Sequence, residues 1–394
     1  MEYPEVTQAV GSGLSWLCYR NVTFSGGGMS LTVLTGAMTG DVANVTFDGC
    51  TWRDGAVLVL AGSADSAVGS LNIAVTGNTF DDALLSPEGA FPPRTNITIS
   101  GNQFTLTRTV SPPGLTLGSP SCVAMNELWV ANHSAVVFSG NTFRPVAAYS
   151  SAIYIVDSSL RVSWDSLFAV VRNTFATGGA NSVVVRLGGS WASASLEVLN
   201  NSAVVVQGNV VSKPLLYFML FPWSLRVESR SAVVFGGNLM QGATAVFAVA
   251  SNAYVYYDSW VQVSGNLCRG SPGLAFAFLG GALSLRNSAL SVSRNEFRSD
   301  TNTPTALRIA DMAQRPLKRI DCGRLQHCER RKGGGLHRPV GVQRHDSELQ
   351  RPMRPRGIVL PRVYDDDFGC RLRLHVRGGR PRRRVPARRR PLER

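Results

Sequence analysis

The chain has 394 residues, 44% of them hydrophobic and 17% charged, which excludes a protein disordered throughout. Thirty-nine glycines beside few Lys and Glu exclude a mainly helical fold. The net charge of +14 belongs to one end: residues 312–394 carry 24 basic and 8 acidic groups, leaving residues 1–311 at −2, so it implies nothing about partners of the body.

The first ten residues, MEYPEVTQAV, are acidic and lack an apolar core, so no secretory signal is expected there. From residue 21 onward one nine-residue register recurs. It reads NVTFSGGGM (21–29, degenerate), NVTFDGCTW (44–52), NITISGNQF (96–104) and AVVFSGNTF (135–143), with shorter copies such as IAVTGNTF (73–80), VVVQGNVV (204–211) and LSVSRNEF (290–297). The residues before the Gly alternate, as Val45 and Phe47 do against Asn44 and Thr46, which predicts a strand with one face buried. Gly-Asn then predicts a turn, because both residues tolerate left-handed backbone. An aromatic two positions on (Trp52, Phe80, Phe104, Phe143, Phe175 or Phe297) returns to the interior.

The turn position is held by Asn78, Asn102, Asn141, Asn173, Asn209, Asn238, Asn266 and Asn295, with Gly27 and Cys50 in the first two copies. Successive spacings of 23, 28, 24, 39, 32, 36, 29, 28 and 29 residues suit coils of three short strands. One unit cannot bury its own apolar face, whereas ten stacked units can. The predicted fold is all-β: a right-handed parallel β-helix of about ten coils over residues 1–311, a rod of roughly 50 Å. The eight asparagines would form a structural turn ladder, hydrogen-bonded along the rod. Helical repeats are excluded by the missing 3.6 period, and the GH…WD mark of propeller blades is absent; a propeller or β-sandwich remains the alternative architecture.

The longest apolar run, Leu215–Trp223, is broken by Pro222 and too short for a membrane helix, so it reads as a buried strand. At about Met312 the repeat stops and the composition turns to Arg, Pro and Gly, which predicts a disordered basic tail over 312–394. Three readings compete for it: an arm that binds nucleic acid or acidic membranes, an unrelated linker, or translation of a GC-rich gene in a shifted frame. The abrupt loss of register near Asp311 favours the last.

Five glycosylation sequons begin at Asn21, Asn44, Asn96, Asn132 and Asn200, three of them at one register position (Asn21, Asn44 and Asn96), facing solvent if the chain is secreted. Seven scattered cysteines form no CxxC and no disulfide framework. Carbohydrate-active β-helices need clustered carboxylates and a basic residue. The body offers one adjacent acidic pair, Asp81-Asp82, which also suits a solvated turn; Asp157 and Asp165 stand eight residues apart. Its one histidine, His133, lies inside a sequon. Cys322, His327, Cys328 and His337 match no standard zinc spacing. No catalytic residue, metal or cofactor is therefore expected, and the chain is read as a non-enzyme, with a polysaccharide lyase or hydrolase as the alternative.

The phrases NVTFDGCTW (44–52), NNSAVVVQGN (200–209), SRSAVVFGGNLM (229–240), SNAYVYYDSWVQVSGNLC (251–268) and NSALSVSRNEF (287–297) resemble the dispersed gene family surface proteins of Trypanosoma cruzi. That resemblance implies a pectin-lyase-like β-helix, a cell-surface or membrane location and an adhesive role towards host or parasite surface proteins or glycans. It carries over no catalytic residue. Similar proteins are much longer and have membrane spans near the C-terminus, so this chain resembles a truncated or frameshifted copy. Unpaired strand edges at the solenoid ends would favour self-association.

Overall fold

The computed structural model describes most of residues 6–298, interrupted at 11–12, 27–28, 64–67, 111–119, 147–149, 157–158, 177–182, 188–194, 213–216, 222–223, 242–244, 250–251, 270–273 and 279–282. Beyond 298 it describes the strands Leu307–Ile309, Ile320–Gly323 and Arg373–Arg377. Every strand of the body pairs in parallel with its counterpart one coil away. Among the described residues this builds sheets of 11, 12, 10 and 6 strands, called A, B, C and D. The chain runs B, C, A and, from Trp129 onward, D before re-entering B. The molecule is a parallel β-helix, and sheet C counts ten coils.

Alternation decides which side chains fill the interior. In Val42–Asp48 the residues Ala43, Val45 and Phe47 are buried while their neighbours are not. Flush registers between coils, such as Ile97 on Val136 and Ile99 on Phe138, turn that alternation into columns along the rod. The sheet C column runs Phe24, Trp52, Phe80, Phe104, Phe143, Phe175. Its rings are stacked at centroid separations of 4.0, 5.8, 4.7, 4.8 and 5.0 Å. Such pairs contribute about 0.5–1.5 kcal/mol each beyond their buried area.

The turn from B to C is where the repeated Gly-Asn acts. Gly140 has φ 63°, and the same place is held by Gly77, Gly101, Gly208, Gly237 and Gly265, or by Arg172 and Arg294 at φ 55°. Each asparagine that follows is buried. Asn102 shows the pattern. Its backbone N–H and its Nδ2 donate to Oδ1 of Asn141 at 3.0 and 2.9 Å, and Nδ2 also donates back to the Val75 carbonyl at 2.8 Å. The chain of bonds runs from Asn78 to Asn295 without a break. Each amide thus satisfies a buried turn that would otherwise leave an unpaired N–H.

Three expectations are corrected. The first copy is WLCYRNVTF (16–24): Trp16 lies opposite Asn44 and Phe24 opposite Trp52. Asn21, at φ 51°, therefore takes the turn place that Gly49 holds in the next coil, and Val22, not Gly27, takes the pivot place. Stacking Phe24 on Trp52 sets this register. In consequence Asn21 does not share the strand position of Asn44 and Asn96. Finally, the coils from Trp129 onward carry four strands, not three, because a second bend separates sheets D and B.

The apolar run Leu215–Trp223 contains the sheet A strand Tyr217–Phe221. The outer face of sheet B holds a second apolar cluster, Ala169, Ala203, Val205, Ala232 and Val234, buried apart from the interior core. In the basic segment, Arg373–Arg377 pairs antiparallel with Ala289–Ser293 and with Ile320–Gly323. The rest of 312–394 lies outside the described residues, and with it the expectation of disorder. No described helix is long and apolar enough to cross a membrane.

Candidate binding face

The bend from sheet D into sheet B is built from two successive left-handed residues. In five of the six described coils they are Asn132-His133, Trp164-Asp165, Asn200-Asn201, Ser229-Arg230 and Tyr257-Asp258, all with φ between 54° and 63°, while the last bend has Asn287 alone at φ 50°. Non-glycine residues in this region cost energy. Backbone bonds between successive bends offset it, for example His133 N–H to the Trp164 carbonyl and Arg230 N–H to the Tyr257 carbonyl, both 2.8 Å. A serine follows each bend, and these serines form a ladder that the sequence reading did not single out. The N–H of Ser134 donates to Ser166 Oγ, that of Ser166 to Ser202, then to Ser231, Ser259 and Ser288, at 3.1–3.3 Å. Thr95 begins it by donating to Ser134 at 3.0 Å. A readable signal existed: each of these residues stands seven positions before a pivot asparagine.

The bend exposes large side chains. Trp164 is 57% exposed and Tyr257 47%. Beside this ridge the outer face of sheet D carries one column of Trp129, Arg161, Glu197, Arg226, Tyr254 and Ser284, in register from coil to coil. Trp129 is 47% exposed, with the Arg161 guanidinium 5.8 Å from its ring centre. Arg161 pairs with Glu197 at 3.8 Å, and Arg226 donates to Glu228 at 2.9 Å. That hydrogen bond raises the guanidinium pKa of Arg226, against a smaller opposing effect of burial. Tyr254, Tyr256 and Tyr257 cluster at 6.0 Å, with Arg286 over Tyr257 at 5.7 Å. On the ridge His133 faces Asp165 at 3.8 Å, and Asn201 donates to the same carboxylate.

The sequons fall into three settings. Asn44 and Asn96 lie on the outer face of sheet B, joined through Asn72: Asn72 donates to Asn44 at 3.1 Å and Asn96 to Asn72 at 3.3 Å. Asn132 and Asn200 sit on the bend ridge one coil either side of Trp164, and their sequon serines, Ser134 and Ser202, are buried in the ladder. Asn21 is an exposed turn residue.

Asp82 is a turn cap. Its carboxylate accepts from the Thr107 amide at 2.6 Å and hydroxyl at 2.7 Å, with Arg108 at 3.7 Å. Burial opposes ionisation there, but these partners outweigh it and hold the carboxyl below its usual range. Asp81 lies between Arg53 and Thr105 on sheet C. Asp157, His327, Cys328 and His337 lie outside the described residues, while Cys322 falls in Ile320–Gly323. Among the described residues no three His, Cys, Asp or Glu side chains are placed to hold a metal ion.

The architecture defines the class: a parallel β-solenoid with internal Asn and Ser ladders. No family model and no curated protein matches the chain. Among solved structures it is similar to PfbA, a surface adhesin of Streptococcus pneumoniae, at 10% identity and a TM-score of 0.26, over 79% of this chain and 76% of that one. A likeness of that size carries no argument about function.

Proposed function

We propose that the chain is a non-catalytic adhesion or structural module of a cell surface, and that it contacts its ligands through the outer face of sheet D and the adjoining ridge. The observation that carries this is the concentration of exposed aromatic rings with arginines beside them: Trp129, Trp164 and Tyr257, with the half-buried Arg161 over Trp129 and the exposed Arg286 over Tyr257. These residue types dominate binding surfaces because they bring large, rigid contact area with few rotamers to freeze. The recurring buried Asn and Ser side chains are engaged in coil-to-coil hydrogen bonds, which leaves them a structural role. The sequence resemblance to trypanosome surface proteins points the same way, towards display at a surface.

The test applies the purified full chain to fixed cells and to matrix-coated wells, and separately to a polysaccharide panel. The module reading expects saturable binding and no release of reducing or unsaturated ends. Release of such ends, lost on replacing Asp81 and Asp82 with alanine, would instead establish the carbohydrate-active alternative.

A further inference from the structure

Resting on that reading, we propose that the sheet D face binds an uncharged, extended oligosaccharide laid along the solenoid axis between Trp129 and Tyr254. The two residues belong to one column four coils apart, so the platform between them spans about 19 Å at the parallel-strand spacing of ~4.8 Å per coil. One coil step is close to the length of one pyranose unit in an extended chain, so successive sugars meet successive coils. An aromatic ring stands at each end of this stretch of the column, the exposed Trp129 and the half-buried Tyr254, where the apolar face of a sugar ring stacks. Between them Arg161, Glu197 and Arg226 provide donors and acceptors for hydroxyl groups.

The charge arrangement selects among ligands. Arg161 is paired with Glu197 and Arg226 with Glu228, so the middle of the platform is internally neutralised and offers no excess charge to an anionic chain. A protein partner fits less well. Protein interfaces concentrate aromatic anchors in a central, dehydrated patch with a charged rim. Here the charged groups are central and the rings terminal.

The experiment titrates the full chain with cellotetraose and chitotetraose by calorimetry, with heparin as the anionic arm, beside the cell- and matrix-binding assay. Binding of at least one tetrasaccharide is expected, insensitive to added salt, and weakened at least tenfold by Trp129→Ala and by Tyr254→Ala. Trp16→Ala removes a tryptophan that is 65% exposed on sheet B, away from the platform, and should leave binding unchanged. Circular dichroism and melting of each variant confirm that it is folded. Salt-sensitive binding to heparin alone overturns the proposal. Cell or matrix binding that persists without tetrasaccharide binding, and survives enzymatic deglycosylation of the target, also overturns it while leaving the adhesion reading intact. Loss of every binding signal overturns both.

Discussion

The backbone N–H of Cys50 donates to Oδ1 of Asn78 at 2.8 Å, which makes a cysteine the first member of the asparagine ladder. The Cys50 thiol lies 3.5 Å from the Tyr19 carbonyl, the place where Asn78 Nδ2 reaches the Phe47 carbonyl at 3.0 Å one coil later. Sulfur is a weaker donor and acceptor than an amide. Cys50→Asn is therefore expected to extend the ladder and stabilise the chain by about 1 kcal/mol, read as a higher urea midpoint with an unchanged m-value. A lower midpoint would show that the longer amide does not fit the first coil.

The two ladders should differ in strength. Asn141 takes part in four side-chain bonds: it accepts from the Asn102 amide and Nδ2, and donates to the Ile99 carbonyl and to Asn173. Ser202 accepts from the Ser166 amide at 3.1 Å and makes a long contact of 3.4 Å to the Asn200 carbonyl. Asn141→Ala should cost about 3–4 kcal/mol and Ser202→Ala about 1–2 kcal/mol, because each removed partner strands buried donors or acceptors. Equal losses in denaturant melts would contradict this order.

Asp82 should make part of the stability depend on pH. Its folded pKa lies below the unfolded value of about 3.9. Its contribution is thus complete above that value and is lost as pH falls through the folded pKa. Asp82→Asn is expected to be less stable than the parent by about 1 kcal/mol at neutral pH. The two should converge in acid, once the parent carboxyl is protonated. A difference that stays constant down to pH ~2 would remove the ionic share of this cap.

Thiol reactivity should follow burial. Burial raises the pKa of Cys50 and of Cys122, and both are free and buried, whereas Cys18 is half-buried. In native protein, mass spectrometry after brief alkylation should find Cys18 modified before Cys50 and Cys122, which are labelled only on unfolding, since the thiolate is the reactive species. Early labelling of Cys122 would show that its coil opens locally.

Glycosylation at Asn132 or Asn200 would place glycan on either side of Trp164, on the ridge that borders the proposed platform. Material made with and without these glycans should differ in binding if the ridge takes part.

Much of this molecule is written locally. Alternation in segments such as Val42–Asp48, the Gly-Asn turn, and an aromatic two residues beyond the pivot are enough to determine strands, turns and an interior ring column, because each depends on residues within about ten positions. The serine seven places before the asparagine was equally present in the sequence, but a lone Ser has no propensity that marks it as buried, so its role was not read. Only the tertiary structure decided the rest. The spacing between pivots varies from 24 to 39 residues after the second coil, so no linear count aligns Trp129 with Arg161, Glu197, Arg226 and Tyr254. The flush pairing of parallel strands absorbs those differences in the connecting segments, and that pairing alone brings five distant residues into one outward column. It likewise set the first coil at Trp16–Phe24, where the stacking of Phe24 on Trp52 outweighs the local likeness of NVTFSGGGM to the repeat.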